Sequence, residues 1–200
     1  MELYDKYPAL RSCRFEIEET VSIVEKALQK GGKLLLCGNG GSSADCDHIV
    51  GELMKGFLKK RPAAVPEAWK DNGEAVKLFA QLQGALPAIS LSAQSAIVTA
   101  YANDADPDMV YAQLTYGYGR TGDVLVAVST SGNSENVLNA VKTANFLGLK
   151  TVGLTGGIQS KMDSLCTVTI KVPETETYRI QELHLPVYHY LCARLEEYFF

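Results

Sequence analysis

Short apolar, β-branched runs recur along this chain and alternate with segments of helical length, and no other feature restricts the fold as strongly. The runs are "KLLLCG" at 33–38, "LPAISLS" at 86–92, "DVLVAVS" at 123–129, "KTVGLTGG" at 150–157 and "TVTIKV" at 167–172. They are short and rich in β-branched and apolar residues, and "KLLLCG", bounded by glycines, reads as a strand buried on both faces. Strands of that kind, separated by helices, form parallel βα units, and right-handed crossovers then wind the sheet with helices on both sides. We therefore expect an α/β fold with a doubly wound parallel sheet, built as one domain over residues 1–200.

The helical segments are read from their periodicity. In "FEIEETVSIVEKALQKGG" the apolar positions Ile17, Val21, Val24 and Leu28 follow helical spacing, and Gly31 and Gly32 close the run. This predicts an amphipathic helix at about 15–30, with a stripe for the chain's own core or for a partner copy. A helix to about Met54 follows the first strand, and another to about Leu147 follows the third. The last helix, about 178–199, carries Ile180, Leu183, Val187, Leu191 and Leu195 on one face. Pro186 removes a backbone donor inside it and predicts a kink near Glu182. Residues 59–87 break the rhythm with prolines, charges and the single tryptophan, Trp69, and read as a surface excursion with a short helix.

A net charge of −4 provides no general attraction for nucleic acid or an anionic membrane surface. Five scattered cysteines without a C-x-x-C pair point to reduced, mostly buried thiols rather than to disulfides or a cysteine zinc cluster. The N-terminus lacks an apolar signal core, and no run approaches the roughly 18 apolar residues of a membrane span. A cytoplasmic protein is expected.

Chemistry concentrates in three places. "CGNGGSSADCDHIVGE" at 37–52 joins a strand to a helix through glycines and serines. It departs from the dinucleotide fingerprint because Ser43 stands at the third glycine and Lys59 and Lys60 stand near the ribose-binding acid's position. A phosphate monoester suits it better. Ser42 and Ser43, with Ser129, Thr130, Ser131 and Ser134 of "STSGNS", stand where a parallel strand yields to a helix. Backbone N–H groups and the helix dipole favour an anion there, and neither loop carries a lysine or arginine. Simple helix capping is the competing reading for either loop alone. Two such loops at the carboxyl ends of parallel strands favour a ligand site. Beyond them, His48 and Glu52 share a helix face. Gln181, His184 and His189 lie on the last helix, with His184 on the other side of Gln181 from His189.

The segments "CGNGGSSADCDHIVGEL", "STSGNSENV" and "RIQELHLPVYH", in this order, resemble the sugar-isomerase (SIS) domain family, most closely its phosphoheptose isomerases. The resemblance covers about Gly31 to Tyr190, interrupted by the excursion. It implies an SIS fold and a homotetramer in which the helix at 15–30 helps build the assembly. It implies a small phosphorylated sugar as partner, its phosphate on Ser42, Ser129, Thr130, Ser131 and Ser134. Asn39, Gly40, Gly41, Asn103, Asp104 and Gln181 would contact the substrate. A zinc ion is implied on His48, Glu52, Gln181 and His189. The implied reaction converts sedoheptulose 7-phosphate to heptose 7-phosphate through an enediol, with Glu52 as base and His189 as acid. The family pattern also has members with an acid before the Arg of "RIQE", where this chain has Tyr178. Two other readings share the fold: a non-catalytic tetrameric adaptor similar to the replication-initiator-associating protein, and a sugar-phosphate sensor.

Overall fold

Alternation within each strand decides how the molecule is layered. The structure, a computed structural model, describes residues 2–200. Its elements are α1 (Leu3–Lys6), α2 (Arg14–Gln29), β1 (Leu34–Gly38), α3 (Gly41–Met54), α4 (Gly73–Phe79), β2 (Ala88–Ser90), α5 (Ser95–Asp104), α6 (Val110–Tyr118), β3 (Val124–Val128), α7 (Glu135–Phe146), β4 (Lys150–Thr155), α8 (Met162–Leu165), β5 (Val168–Lys171) and α9 (Thr177–Phe199). The five strands are all parallel, in the order β2-β1-β3-β4-β5. In β1, Leu34 and Leu36 face a core shared with α2, α3 and α9, while Leu35 and Cys37 face a second core shared with α6 and α7. Both faces of the sheet are thus covered, as the short apolar runs predict.

The helix at 14–29 follows its expected stripe. Ile17, Val21, Val24 and Leu28 are buried in the chain's own core, which resolves the question of what the stripe faces within one copy. Pro186, where a kink near Glu182 is expected, lies inside α9, which runs as one uninterrupted helix. The carbonyl deprived of its donor belongs to Glu182, an exposed residue where water can substitute. Residues 59–87 contain a 3-10 turn at Glu67–Trp69 and α4, and an isolated antiparallel bridge pairs Pro62 with Gln83. No sequence signal marked α5 and α6, which pack over the second core. All five cysteines are free, four of them buried. Among the described residues no helix is long and apolar enough to cross a membrane.

His184 ties α9 to the sheet. It is fully buried, its Nε2 lies 3.4 Å from the Thr155 carbonyl oxygen, and Nδ1 is buried without a partner. Burial lowers its pKa from 6.5 to about 4, against the opposing bond to Thr155. The folded protein therefore keeps His184 neutral while the unfolded chain takes up a proton below pH 6.5, so this stabilising difference is complete above 6.5 and is lost as the pH falls towards 4. Between pH 7 and pH 5 the loss attributable to His184 is about 2 kcal/mol. Urea unfolding at pH 7, 6 and 5 should show a smaller decline for His184→Phe than for the wild type. Parallel declines would exclude this source.

Candidate active site

The strand order places the site. The chain leaves β1 for the β2 edge and returns to β3 on the other side, so the connections after β1 and β3 diverge to opposite faces and open a crevice at their carboxyl ends. The two serine-containing loops flank this switch point. Gly40, at φ +55°, turns the chain from β1 into α3 in a conformation that favours glycine. The side-chain amides of Asn39 and Asn136 exchange two hydrogen bonds of 2.9 Å and tie the loops together.

The N-cap residues of α3 and α7, Gly40 and Ser134, make no side-chain capping bond, and in the first turn of α7 Asn136 Oδ1 accepts the Val137 N–H at 2.9 Å. Ser42 and Ser129 are buried, and the Ser129 and Ser134 hydroxyls lie 3.2 Å apart. Thr130 and Ser131 line a cleft of about 190 Å³ together with Thr175, from the segment joining β5 to α9, and Thr177, the first residue of α9. Those two threonines carry no motif and were not singled out by the sequence; only the return of α9 to the crevice reveals them. Ser131 also accepts the Asn133 backbone N–H at 3.2 Å.

Helices α3 and α9 run side by side in the same direction, and this registers their polar residues. A Cβ on Gly41 would meet the Gln181 amide, so the glycine makes room for that side chain. Seven residues along α3 and eight along α9, His48 meets His189, with their Nε2 atoms 3.4 Å apart. The Glu52 Oε1 lies 3.3 Å from the same His48 Nε2. Gln181 is thus displaced by about 10 Å along the helix axis from the His48 contact. The structure brings His48, Glu52 and His189 together and leaves Gln181 at the serine-loop end. Among the described residues no group of three or more His, Cys, Asp or Glu side chains closes around a metal position; what is present is a set of pairwise contacts centred on His48. Asn103 and Asp104, at the end of α5, are exposed, with the Asn103 amide donating to Asp104 at 2.8 Å. Neither is hydrogen-bonded to the serine loops or to the histidines.

Several neighbours were missed by the sequence reading. Lys55 Nζ sits 3.0 Å from Glu52 Oε2, a pair one helical turn apart that the i, i+3 spacing could have suggested. The ring of Phe57 lies 5.5 Å from that of His189. A cavity of about 320 Å³ is lined by Glu2, Lys6 and Tyr7 with Pro186 and His189, so the N-terminal segment walls one approach to His189. Burial and the nearby His48 hold the His189 pKa below the usual histidine value, opposed by Glu52.

Known proteins share this architecture and sequence. The SIS domain family matches residues 10–83 and 72–156. A phosphoheptose isomerase of Rhodospirillum rubrum is 37% identical over 193 residues, covering 96% of this chain and 91% of the relative. The solved phosphoheptose isomerase of Neisseria gonorrhoeae superposes with a TM-score of 0.78 at 31% identity, over 96% of this chain and 91% of that one. The corresponding enzyme from Francisella tularensis gives a TM-score of 0.80 at 27% identity, with the same coverage. A five-stranded parallel sheet with its switch point between two serine loops, and relatives aligned along nearly their whole length, lead to one assignment: this chain belongs to the SIS domain family, among the phosphoheptose isomerases.

Proposed function

We propose that this chain is an aldose–ketose isomerase that converts sedoheptulose 7-phosphate to heptose 7-phosphate. The observation that carries the reading is the meeting of His48, Glu52 and His189 on the paired helices that also hold Ser42 and Gln181. Ser42 lies about 9 Å along α3 from His48, which leaves room for a sugar carbon chain between a phosphate at the loops and chemistry at the histidines. In this reading Ser42, Ser129, Thr130, Ser131 and Ser134 hold the phosphate by hydroxyl and backbone donors. Asn39, Gly40 and Gly41 line the pocket, and Gln181 contacts the sugar. Asn103 and Asp104 would join only on movement of α5 or from a neighbouring copy.

Isomerisation moves a proton between adjacent carbons, so it needs a base on one face of the sugar and a group that returns the proton. Glu52 takes the proton and His189 manages the proton on the oxygen. Lys55 orients Glu52 through Oε2, and His48 Nε2 faces Oε1 at 3.3 Å. A divalent metal suits the donors. The His48–Glu52 and His48–His189 separations, 3.3 and 3.4 Å, supply two of the edges that an ion on these residues needs, while the three side chains as placed do not close around a metal position. His48, Glu52 and His189 would hold the ion, with Gln181 too far along α9 to join them as placed. A bound zinc would polarise the sugar oxygens. The homotetramer belongs to the same proposal.

Purified protein incubated with sedoheptulose 7-phosphate should form an aldose phosphate, lose that activity in a chelator and regain it with zinc. Light scattering on the same preparation should give the mass of four chains. Phosphate-ligand binding without turnover, zinc restored, would make the chain a sensor; absence of both would leave the adaptor.

A further inference from the structure

The His48 ring has two nitrogens, and the structure shows what each faces. Nε2 points at Glu52 and His189, while Nδ1 lies 3.1 Å from the hydroxyl of Tyr188, which is itself 3.1 Å from Asp45 Oδ1. Tyr188 is 3% exposed, and its ring packs edge-on against His48. The second oxygen of Asp45 is buried without a partner. No sequence feature singles out Tyr188.

We propose that Tyr188, backed by Asp45, is a positioning residue that fixes His48 as the tautomer protonated on Nδ1 and keeps Nε2 bare towards Glu52 and His189. A phenol has one proton to give, and a carboxylate can only accept. With that proton directed to Asp45, the tyrosine oxygen is left as an acceptor, and His48 Nδ1 must carry the hydrogen. The consequence lies on the other edge of the ring. A bare Nε2 facing the Glu52 carboxylate oxygen sets two acceptors 3.3 Å apart, which repel unless a proton or a cation stands between them. The relay thus makes this edge of His48 a ligand or proton acceptor rather than a donor, in the way outer partners orient metal-binding histidines.

This rests on the isomerase reading only for its effect on turnover; the tautomer itself is measured without activity. Metal-free protein labelled with ¹⁵N-histidine, at a pH where imidazoles are neutral, should show His48 protonated on Nδ1 by two-bond ¹H–¹⁵N correlation. Tyr188→Phe should shift it towards the Nε2–H form. Asp45→Ala frees the tyrosine proton for Nδ1 and should do the same, and it serves as the second variant if Tyr188→Phe folds poorly. In turnover, Tyr188→Phe should lower kcat or zinc affinity about 10- to 100-fold, with KM for sedoheptulose 7-phosphate little changed. A wild-type His48 carrying its proton on Nε2, or an Nδ1–H form that persists in both variants, would overturn the proposal. If the wild type turns nothing over while the tautomer shifts as stated, the isomerase reading fails and this one stands.

Discussion

Glu196→Gln should lower the unfolding free energy by about 3–5 kcal/mol, the usual cost of stripping one partner from a buried ion pair. Arg61 and Glu196 are each 1% exposed. The Arg61 Nε donates to Glu196 Oε1 at 2.7 Å, and its terminal nitrogens donate to the carbonyl oxygens of Leu53 and Glu52 at 2.8 and 3.1 Å. Glu196 also accepts the backbone N–H groups of Phe57, Leu58 and Lys59 at 2.7–3.0 Å. One carboxylate therefore anchors the start of the excursion to α9, and one guanidinium closes the C-terminal turn of α3. Burial pushes the Glu196 carboxyl up, but the donors of Phe57, Leu58 and Arg61 outweigh it and hold its pKa below the ordinary glutamate value. Its contribution is accordingly present above the unfolded pKa and lost as the pH falls through the lower folded one. In Glu196→Gln the Arg61 charge stays buried and unpaired, so denaturant unfolding at pH 7 should reveal most of the cost. The double variant Arg61→Met/Glu196→Leu should lose less than the two single changes added together. A Glu196→Gln protein as stable as the wild type would show that the pair is not what holds this segment.

That clamp also marks where sequence reasoning stops. The strands were readable because burial on both faces leaves short runs of β-branched and apolar residues, and the serine loops because strand, glycine, hydroxyl and helix follow one another within a few residues. The pairing of His48 with His189 was readable in part: helical spacing placed each on a face, but only the parallel run of α3 and α9 shows that they meet. The same register moves Gln181 to the other end of the site, which spacing on a single helix cannot reveal. Arg61 and Glu196 are 135 positions apart, and each alone reads as a solvated surface charge. Tyr188 was hidden because an aromatic residue at helical spacing looks like core, and its hydroxyl acquires meaning only beside Asp45. The α5 and α6 segments were missed because they alternate little between polar and apolar faces. Helix α9 continues past Pro186 because its flanking turns are held by the core on one side, and the orphaned carbonyl belongs to an exposed residue.

Glu52→Gln should abolish most turnover, by about 10²- to 10⁴-fold in kcat if the carboxylate is the base that moves the proton. The substitution preserves size and leaves the ring of His48 a hydrogen-bonding neighbour, but an amide has no comparable basicity. The lost ion pair with Lys55, whose side chain is largely exposed, should cost little stability. A carboxylate bound to zinc is a weaker base, so ligand and base roles must be separated by measuring metal content and turnover on the same preparation. If Glu52 serves only as a ligand, activity falls with zinc occupancy and returns at saturating zinc. If it is the base, activity stays low at full occupancy. Binding of inorganic phosphate, followed by the rise in melting temperature it produces, should be largely retained, because the serine loops lie at the far end of α3. An active, metal-replete Glu52→Gln enzyme would remove Glu52 from the proton transfer and turn attention to His189. Loss of phosphate binding together with activity would show that the substitution had disturbed the α3–α9 pairing itself.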